Sequence, residues 1–374
     1  MPSAQSSSPR WPVGYRIRPV ADPDSTDVEV ADAITARRFR WSPEALSAYI
    51  LDDGSADREL TGGDAWFHAL ASAGDRGHLI RGLRHWQERG WHPSDQYYVA
   101  SRRWEFVDVT DVDGAIRTAT IERFLSTDGP PVPERRPAGP RVPLGPAAEP
   151  GTQPVSQLLV SRRSGRAYVA RPAPAARLSG MLWYGLAPAR QRREETDPAQ
   201  PLSYLESLGA AWDFYLCIYS VDGVPSGTYR YDLLSHELTT IRPGNHRDTM
   251  MDVLQGMRSP ATAAWTLGLV ADVPRYQWRY RHDHGLRRLY LEAGLLAQEL
   301  LILGMSYGFS TLVTPAQKDS AYLALHDLPA ERFAPVYTLT MGLSRGSAGM
   351  MFDDSAGAPP IPPESPTPLE SDRA

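Results

Sequence analysis

Proline is the residue that most limits what this chain can fold into. Thirty-four of the 374 residues are proline, and a residue with fixed φ and no N–H is excluded from helix interiors and central strands. Eight of them (Pro130, Pro131, Pro133, Pro137, Pro140, Pro143, Pro146 and Pro150) crowd into residues 128–153. That stretch predicts an extended proline-rich linker, which separates an N-terminal domain, 1–127, from a second domain, 154–350. A later run from Pro359 to Pro368 places 351–374 in a disordered tail, and the polar residues 1–10 carry the same expectation. No internal repeat is visible.

The first domain reads as a small mixed module. Tyr15 to Val20 is a strand signal, and Ser42-Pro43 is a helix start. His78 to Glu88 predicts a helix, with Leu79, Leu83 and Trp86 at helical spacing and Gly90 as its stop. Tyr97 to Ala100 and Trp104 to Val109 read as two strands. Helices followed by a two-stranded ribbon suggest a winged-helix-like fold. Such modules often hold nucleic acid, but Lys+Arg 39 against Asp+Glu 44 leaves a formal charge of -5, which argues against that partner. A peptide added to the ribbon edge suits the charge better. No stretch approaches the roughly 20 apolar residues that span a bilayer, and the first ten residues lack the apolar core of a signal peptide. A cytoplasmic protein with no membrane partner is expected. The single cysteine, Cys217, lies in the apolar run Phe214 to Tyr219, so it excludes an internal disulfide and reads as core.

In the second domain, Ser161-Arg162-Arg163-Ser164-Gly165-Arg166 follows the apolar run Leu158 to Val160. Guanidinium forks and a hydroxyl so close together form a receptor for phosphate, although an arginine run on its own is as readily a solvated face. Phe214 to Tyr219, the turn Asp222 to Gly227, and Thr228 to Tyr231 read as a hairpin, with Tyr229 and Tyr231 as strand packing. From Leu286 to Gly304, apolar residues recur at intervals of three and four, which predicts a long helix buried on one broad face. Phe309 to Val313, a helix near Asp319 to Leu325, and a strand from Val336 to Met341 complete the order. The last strand runs into Ser344-Arg345, so a second arginine follows a strand end. Trp183 and Tyr184 belong to the core or to a pocket wall.

This order resembles the nitroreductase-like flavoprotein superfamily, and within it the azoline dehydrogenase branch that oxidises thiazolines and oxazolines in peptide natural-product biosynthesis. The residues carrying the resemblance are Arg162, Arg163, Ser164 and Arg166; Ser207 and Gly209 before a strand; the hairpin Gly223, Gly227, Tyr229, Tyr231; and the helix Leu291 to Gln298. It spans about half the chain, and each element is loose. His78 to Arg102 looks like the leading domain of such oxidases. The resemblance implies an α+β fold, with an FMN-binding nitroreductase-like domain preceded by the winged-helix-like one. It implies FMN as cofactor, with Arg162, Ser164 and Arg345 anchoring the phosphate and Arg163, Ser207, Gly209 and Ser344 also among the cofactor-binding residues. It places Arg166 near the flavin pyrimidine, and Thr314, Pro315 and Ala316 where a backbone donor faces N5. Homodimers with flavin at the subunit interface follow from it, as do a modified peptide substrate and a cyclodehydratase or other biosynthetic partner.

The chain departs from that family where a Lys-Tyr pair precedes the long helix. The only lysine is Lys318, and the region reads Gln277-Trp278-Arg279-Tyr280-Arg281-His282-Asp283-His284. Tyr280 is the retained tyrosine with Arg279 in the lysine place, or the register is shifted by one. Arginine stays protonated and is a poor base, so Tyr280, His282 and His284 are the candidate proton acceptors. His282 and His284 supply too few ligands for a metal, and no metal site is expected. Glu206 stands where the family has proline. Three functions are open: an FMN-dependent azoline dehydrogenase; an NAD(P)H-dependent FMN reductase of a nitro, quinone or dehydroamino-acid substrate; and a catalytically silent, peptide-binding partner subunit. The absence of a Gly-x-Gly-x-x-Gly element does not separate them.

Overall fold

The computed structural model describes residues 15–19, 24–32, 37–44, 110–195, 203 and 211–345, with scattered positions between 86 and 106. The chain forms two compact units. The first comprises Met1–Val109 with His282–Arg287, and the second Thr110–Arg281 with Arg288–Ala374.

In the first unit, β1 (Tyr15–Pro19), β2 (Val28–Asp32) and β3 (Arg37–Trp41) make an antiparallel sheet in the order β1-β2-β3. The strand expected at Tyr15 is therefore present, and Pro43 and Glu44 are helical where a helix start was expected. The helix His78 to Glu88 lies outside the described residues except for Trp86, which is helical. The strand expected at Tyr97 is corrected: Tyr97, Tyr98 and Ser101 are helical. A four-residue apolar run carries no decisive period, and here packing decides, with the Tyr98 ring 4.8 Å from that of Trp86. Apart from Phe106, which is in coil, the stretch Trp104 to Val109 lies outside the described residues, as do 1–10 and the tail 351–374.

The second unit is built on a seven-stranded sheet. Its elements in chain order are α1 (Ala115–Asp128), β4 (Arg141–Pro143), α2 (Val155–Ser161), α3 (Ala175–Gly185), α4 (Ala187–Glu195), β5 (Trp212–Ile218), β6 (Gly227–Asp232) and β7 (Glu237–Pro243). There follow α5 (Arg247–Val253), β8 (Trp265–Asp272), α6 (Val273–Arg279), α7 (His284–Ser306, whose residues from Arg288 onward belong to this unit), β9 (Phe309–Thr314), α8 (Asp319–Leu325) and β10 (Phe333–Leu343). The order across the sheet is β4-β7-β6-β5-β8-β10-β9, antiparallel throughout.

The central strands β5 and β8 are buried at every residue, because helices cover both faces. Alternation sorts their side chains. Trp212, Phe214, Leu216 and Ile218 join α3 and α7 in one core, whereas Tyr215 and Cys217 join α5 and α8 in the other. Cys217 is core, as expected, and burial pushes its thiol up to about 12. The hairpin β5–β6 pairs Phe214 with Tyr231, and Gly223 supplies the positive φ of its turn. Helix α7 has the length and composition of a membrane span, where no such stretch was expected. Half of its apolar window is buried within the fold, the pattern of a core helix.

The proline-rich stretch is not a free linker. The contact boundary falls at Val109/Thr110, and α1 and the prolines belong to the second unit. The stretch runs as a strap along that unit. Trp278 Nε1 donates to Gly129 O at 2.9 Å, Arg332 Nη2 donates to Pro133 O at 2.6 Å, and β4 pairs with β7. Ala148 N donates to Ala176 O, and Gly151 N donates to Ser306 O. At Gly139 a Cβ would fall 1.7 Å from Thr240 O, so only glycine allows this approach. Glu134 is the strap's buried-end anchor: its Oε1 accepts from Arg193 and Arg230, whose guanidiniums also surround the fully buried Asp213. Prolines exclude helix here, but they leave carbonyls and side chains free to dock.

Candidate functional site

The arginine element sits on the outer edge of β9. Helix α2 ends at Arg162, and Ser164 then bridges to Thr311 while Gly165 N donates to Thr311 O at 3.0 Å. A Cβ on Gly165 would lie 2.7 Å from Ser310 Cβ, so the glycine lets the segment lie flat on the strand. Tyr168 fastens it from beneath. Its ring is fully buried, and its hydroxyl donates toward Gly165 O (3.0 Å) and Thr340 O (3.1 Å). Burial pushes the phenol well up, with Arg166 opposing. Gly342 makes room for that ring, since a Cβ there would fall 2.7 Å from Tyr168 Cβ.

Arg345 closes the group. Its Nε donates to Tyr168 O at 3.3 Å, and Ser344 N donates to Gly308 O. One buried tyrosine thus ties the element near residue 164 to the arginine that follows β10. The four guanidiniums do not behave alike. Arg163 turns back on its own helix, donating to Val160 O at 2.9 Å and Arg162 O at 2.7 Å, which caps the end of α2. Arg162, Arg166 and Arg345 form no ion pair with a carboxylate among the described residues, and Arg166 and Arg345 are exposed. Ser207 and Gly209 lie outside the described residues.

The turn after β9 spends its own donors. Pro315 has no N–H, Ala316 N donates to Thr314 Oγ1 at 3.0 Å, and Gln317 N donates to Pro315 O at 3.0 Å. Thr314 O in turn accepts from Thr338 Oγ1. The backbone donor expected from this stretch is therefore engaged locally.

The sequence-predicted proton acceptors divide between the units. His282 and His284 belong to the first, with ring centroids 6.1 and 5.1 Å from Phe106 and 6.2 Å from each other. Tyr280 belongs to the second. It follows α6, its ring 4.7 Å from Tyr276, with the guanidiniums of Arg279 and Arg288 at 5.5 and 5.1 Å from its ring centroid. Sequence reasoning missed Arg288, and it missed what lies behind it. Arg288 Nε donates to Glu292 Oε1 at 2.9 Å, and Trp212 Nε1 donates to Glu292 Oε2 at 3.4 Å. Glu292 is 3% exposed, and burial raises its carboxyl above the ordinary range against the pull of Arg288.

The register places these two groups at opposite ends of the sheet. Trp265 pairs with Met341, two residues before Leu343, whereas Asp272 pairs with Phe333 at the end from which α6 and Tyr280 depart. At about 3.3 Å per residue, strand β8 alone separates the two ends by roughly 23 Å.

No family model matches the chain. It is 28% identical over 271 residues to the trifolitoxin operon protein TfxC of Rhizobium leguminosarum bv. trifolii, covering 70% of this chain and 74% of the relative. It is 25% identical over 166 residues to a protein of Methanocaldococcus jannaschii that bears a nitroreductase name, covering 44% of this chain and 80% of that one. Among solved structures, a nitroreductase-named protein from Anabaena variabilis matches with TM-score 0.48 and 20% identity over 59% of this chain. This chain spans 44% of that protein. The E. coli microcin synthetase McbBCD complex with truncated pro-MccB17 bound matches with TM-score 0.40 and 18% identity, over 64% of this chain and 97% of that one. The chain is an α+β protein similar to nitroreductase-named proteins, and the resemblance seen in its sequence is borne out. Within that class it is similar over most of its length to TfxC.

Proposed function

We propose that the protein is an FMN-dependent oxidoreductase that dehydrogenates a modified peptide, converting an azoline to an azole. The observation that carries this is that one buried tyrosine, Tyr168, ties the segment around Arg162, Ser164 and Arg166, through Gly165 O, to Arg345, while Arg162, Arg166 and Arg345 form no ion pair with a carboxylate among the described residues. That donor set fits an anionic cofactor head, and Ser164, Arg166 and Arg345 are exposed. Arg162, Ser164 and Arg345 would hold the phosphate, and Arg166 would stand beside the pyrimidine, where a cation favours electron uptake. The flavin supplies acceptance of a hydride at N5, with dioxygen as terminal oxidant.

The chain's own residues then have three tasks. The arginine element orients the cofactor at the β9 edge. Tyr280, or an imidazole of His282 or His284, accepts the proton that leaves the substrate ring as the hydride departs. A second copy completes the site, because the arginine element and Tyr280 lie at opposite ends of one sheet; the proposal therefore includes a homodimer. Similarity to a trifolitoxin operon protein supports a peptide substrate and biosynthetic partner proteins in the cytoplasm.

The test is a visible absorption spectrum of the purified chain, followed by chromatography of what heat releases. FMN near one per chain is the expected result, and Arg166→Ala should lower flavin content or shift its potential. Bleaching of the flavin by NAD(P)H would favour the reductase alternative. A colourless chain that also fails to take up added FMN, yet binds peptide, would overturn both in favour of a silent partner subunit, a reading that the self-satisfied turn at Thr314–Gln317 supports.

A further inference from the structure

A carboxylate is buried behind the tyrosine that the proposed reaction uses. Glu292 points from α7 toward Trp212, its two oxygens taken by Trp212 Nε1 and Arg288 Nε. A buried ion pair of this kind gains little over a well-packed apolar residue for stability alone, and leucine would suit both the helix and the core. What the pair does achieve is geometric. Arg288 lies one turn before Glu292 on the same helix, and its side chain is half exposed. A long, half-exposed arginine ordinarily samples many rotamers. The Glu292 anchor holds its guanidinium 5.1 Å from the Tyr280 ring centroid, within the range of a cation–π contact. Tyr276 supports the ring from the other neighbour, at 4.7 Å.

We propose that Glu292 is a positioning residue: through Arg288 it fixes a guanidinium on the Tyr280 ring and so sets the phenol for proton transfer. The proposal rests on Tyr280 being the group that takes the proton. The roles are distinct, since only Tyr280 meets substrate, while Arg288 and Glu292 act through it. The lysine expected beside the tyrosine is thereby replaced in part from the following helix, by a cation eight residues further along.

Two measurements test this on the purified full chain. The first is a double-mutant cycle of Arg288→Ala and Tyr280→Leu by urea unfolding, which needs no turnover. A coupling of about two- to fivefold in the folding equilibrium is expected for a cation–π contact. Additive losses would show that the contact does not exist in solution. The second is turnover of a synthetic peptide carrying one thiazoline. Glu292→Gln should lower kcat about tenfold with little change in KM. Arg288→Lys should recover most of the activity lost in Arg288→Ala. Glu292→Gln should cause no further loss in a Tyr280→Phe background. A loss in KM alone, or an equal loss with and without Tyr280, would overturn the positioning role. If the wild-type chain holds FMN but leaves the thiazoline untouched, the reaction assigned above is wrong, and the catalytic half of the proposal falls with it; the unfolding cycle still decides the contact.

Discussion

Replacing Glu134 by glutamine should unseat the proline-rich strap. Glu134 Oε1 accepts from both Arg193 and Arg230, whose side chains are 8% and 1% exposed, and Asp213 is the nearest remaining carboxylate. With Glu134 neutral, the two buried guanidiniums are left with Asp213, which Arg275 also approaches at 4.0 Å, and with Asp232, 3.4 Å from Arg230. Removing one partner of a buried ion pair costs about 3–5 kcal/mol, because the other is left uncompensated. The glutamine carbonyl still accepts a hydrogen bond and Glu134 is not fully enclosed, so the lower end, about 3 kcal/mol, is expected for this variant. Glu134→Ala also loses the acceptor and should approach about 5 kcal/mol. In a domain of this size, 3 kcal/mol corresponds to a melting-temperature drop of about 6 to 12 °C.

Circular dichroism melts give the global loss, and hydrogen exchange at the β4–β7 pairing shows whether the strap opens first. Buried pairs are screened little by salt, so the deficit should persist in about 0.5 M NaCl. A loss below about 1 kcal/mol, or one erased by salt, would match a surface ion pair and refute the strap as a docked element. Loss of global stability with unchanged exchange at β4 would place the defect in the sheet rather than the strap.

Other perturbations separate the parts of the fold. His326 is fully buried, and burial lowers its imidazole to about 4. A depressed histidine means that the unfolded chain binds the proton first, so its stabilising share is complete above the ordinary value near 6.5 and is lost as pH falls toward 4. Unfolding in urea should show about 2.5 kcal/mol less stability at pH 4.5 than at 7.5 from this group, and His326→Gln should flatten that slope. Gly342→Ala puts a methyl 2.7 Å from Tyr168; about 1–3 kcal/mol of stability should be lost, together with retention of flavin, and an unaltered flavin content would detach Tyr168 from the arginine site. Gly294→Ala meets nothing within 4 Å on an exposed helix face, so a gain of up to about 1 kcal/mol is expected by calorimetry.

The sequence was legible where a signal is local. Strand β5 shows as an apolar run because both its faces are covered, whereas the equally buried β8 was not read from the sequence; α7 shows as a three–four periodicity, and the β5–β6 turn shows as Asp222-Gly223. The phosphate-receptor element was visible as a density of arginine and hydroxyl. What stayed hidden depends on partners far away in the chain. Glu134 meets Arg193 and Arg230 at separations of 59 and 96 residues, so nothing near the prolines marks it as an anchor, and the stretch reads as linker. Arg288–Glu292 looks like a solvated i,i+4 pair; only Trp212, 80 residues earlier, turns one half of it inward. Tyr168 has no motif of its own, yet it joins Gly165, three residues before it, to Arg345, 177 residues after it. Arg163 fails the other way, since its neighbours in sequence suggested a shared ligand while its nearest acceptors were the carbonyls closing its own helix. Charge neutralisation accounts for the first two misses. A guanidinium or carboxylate that the chain must bury draws its counterpart from wherever the sheet brings one, and that choice follows strand order, which residue spacing does not encode.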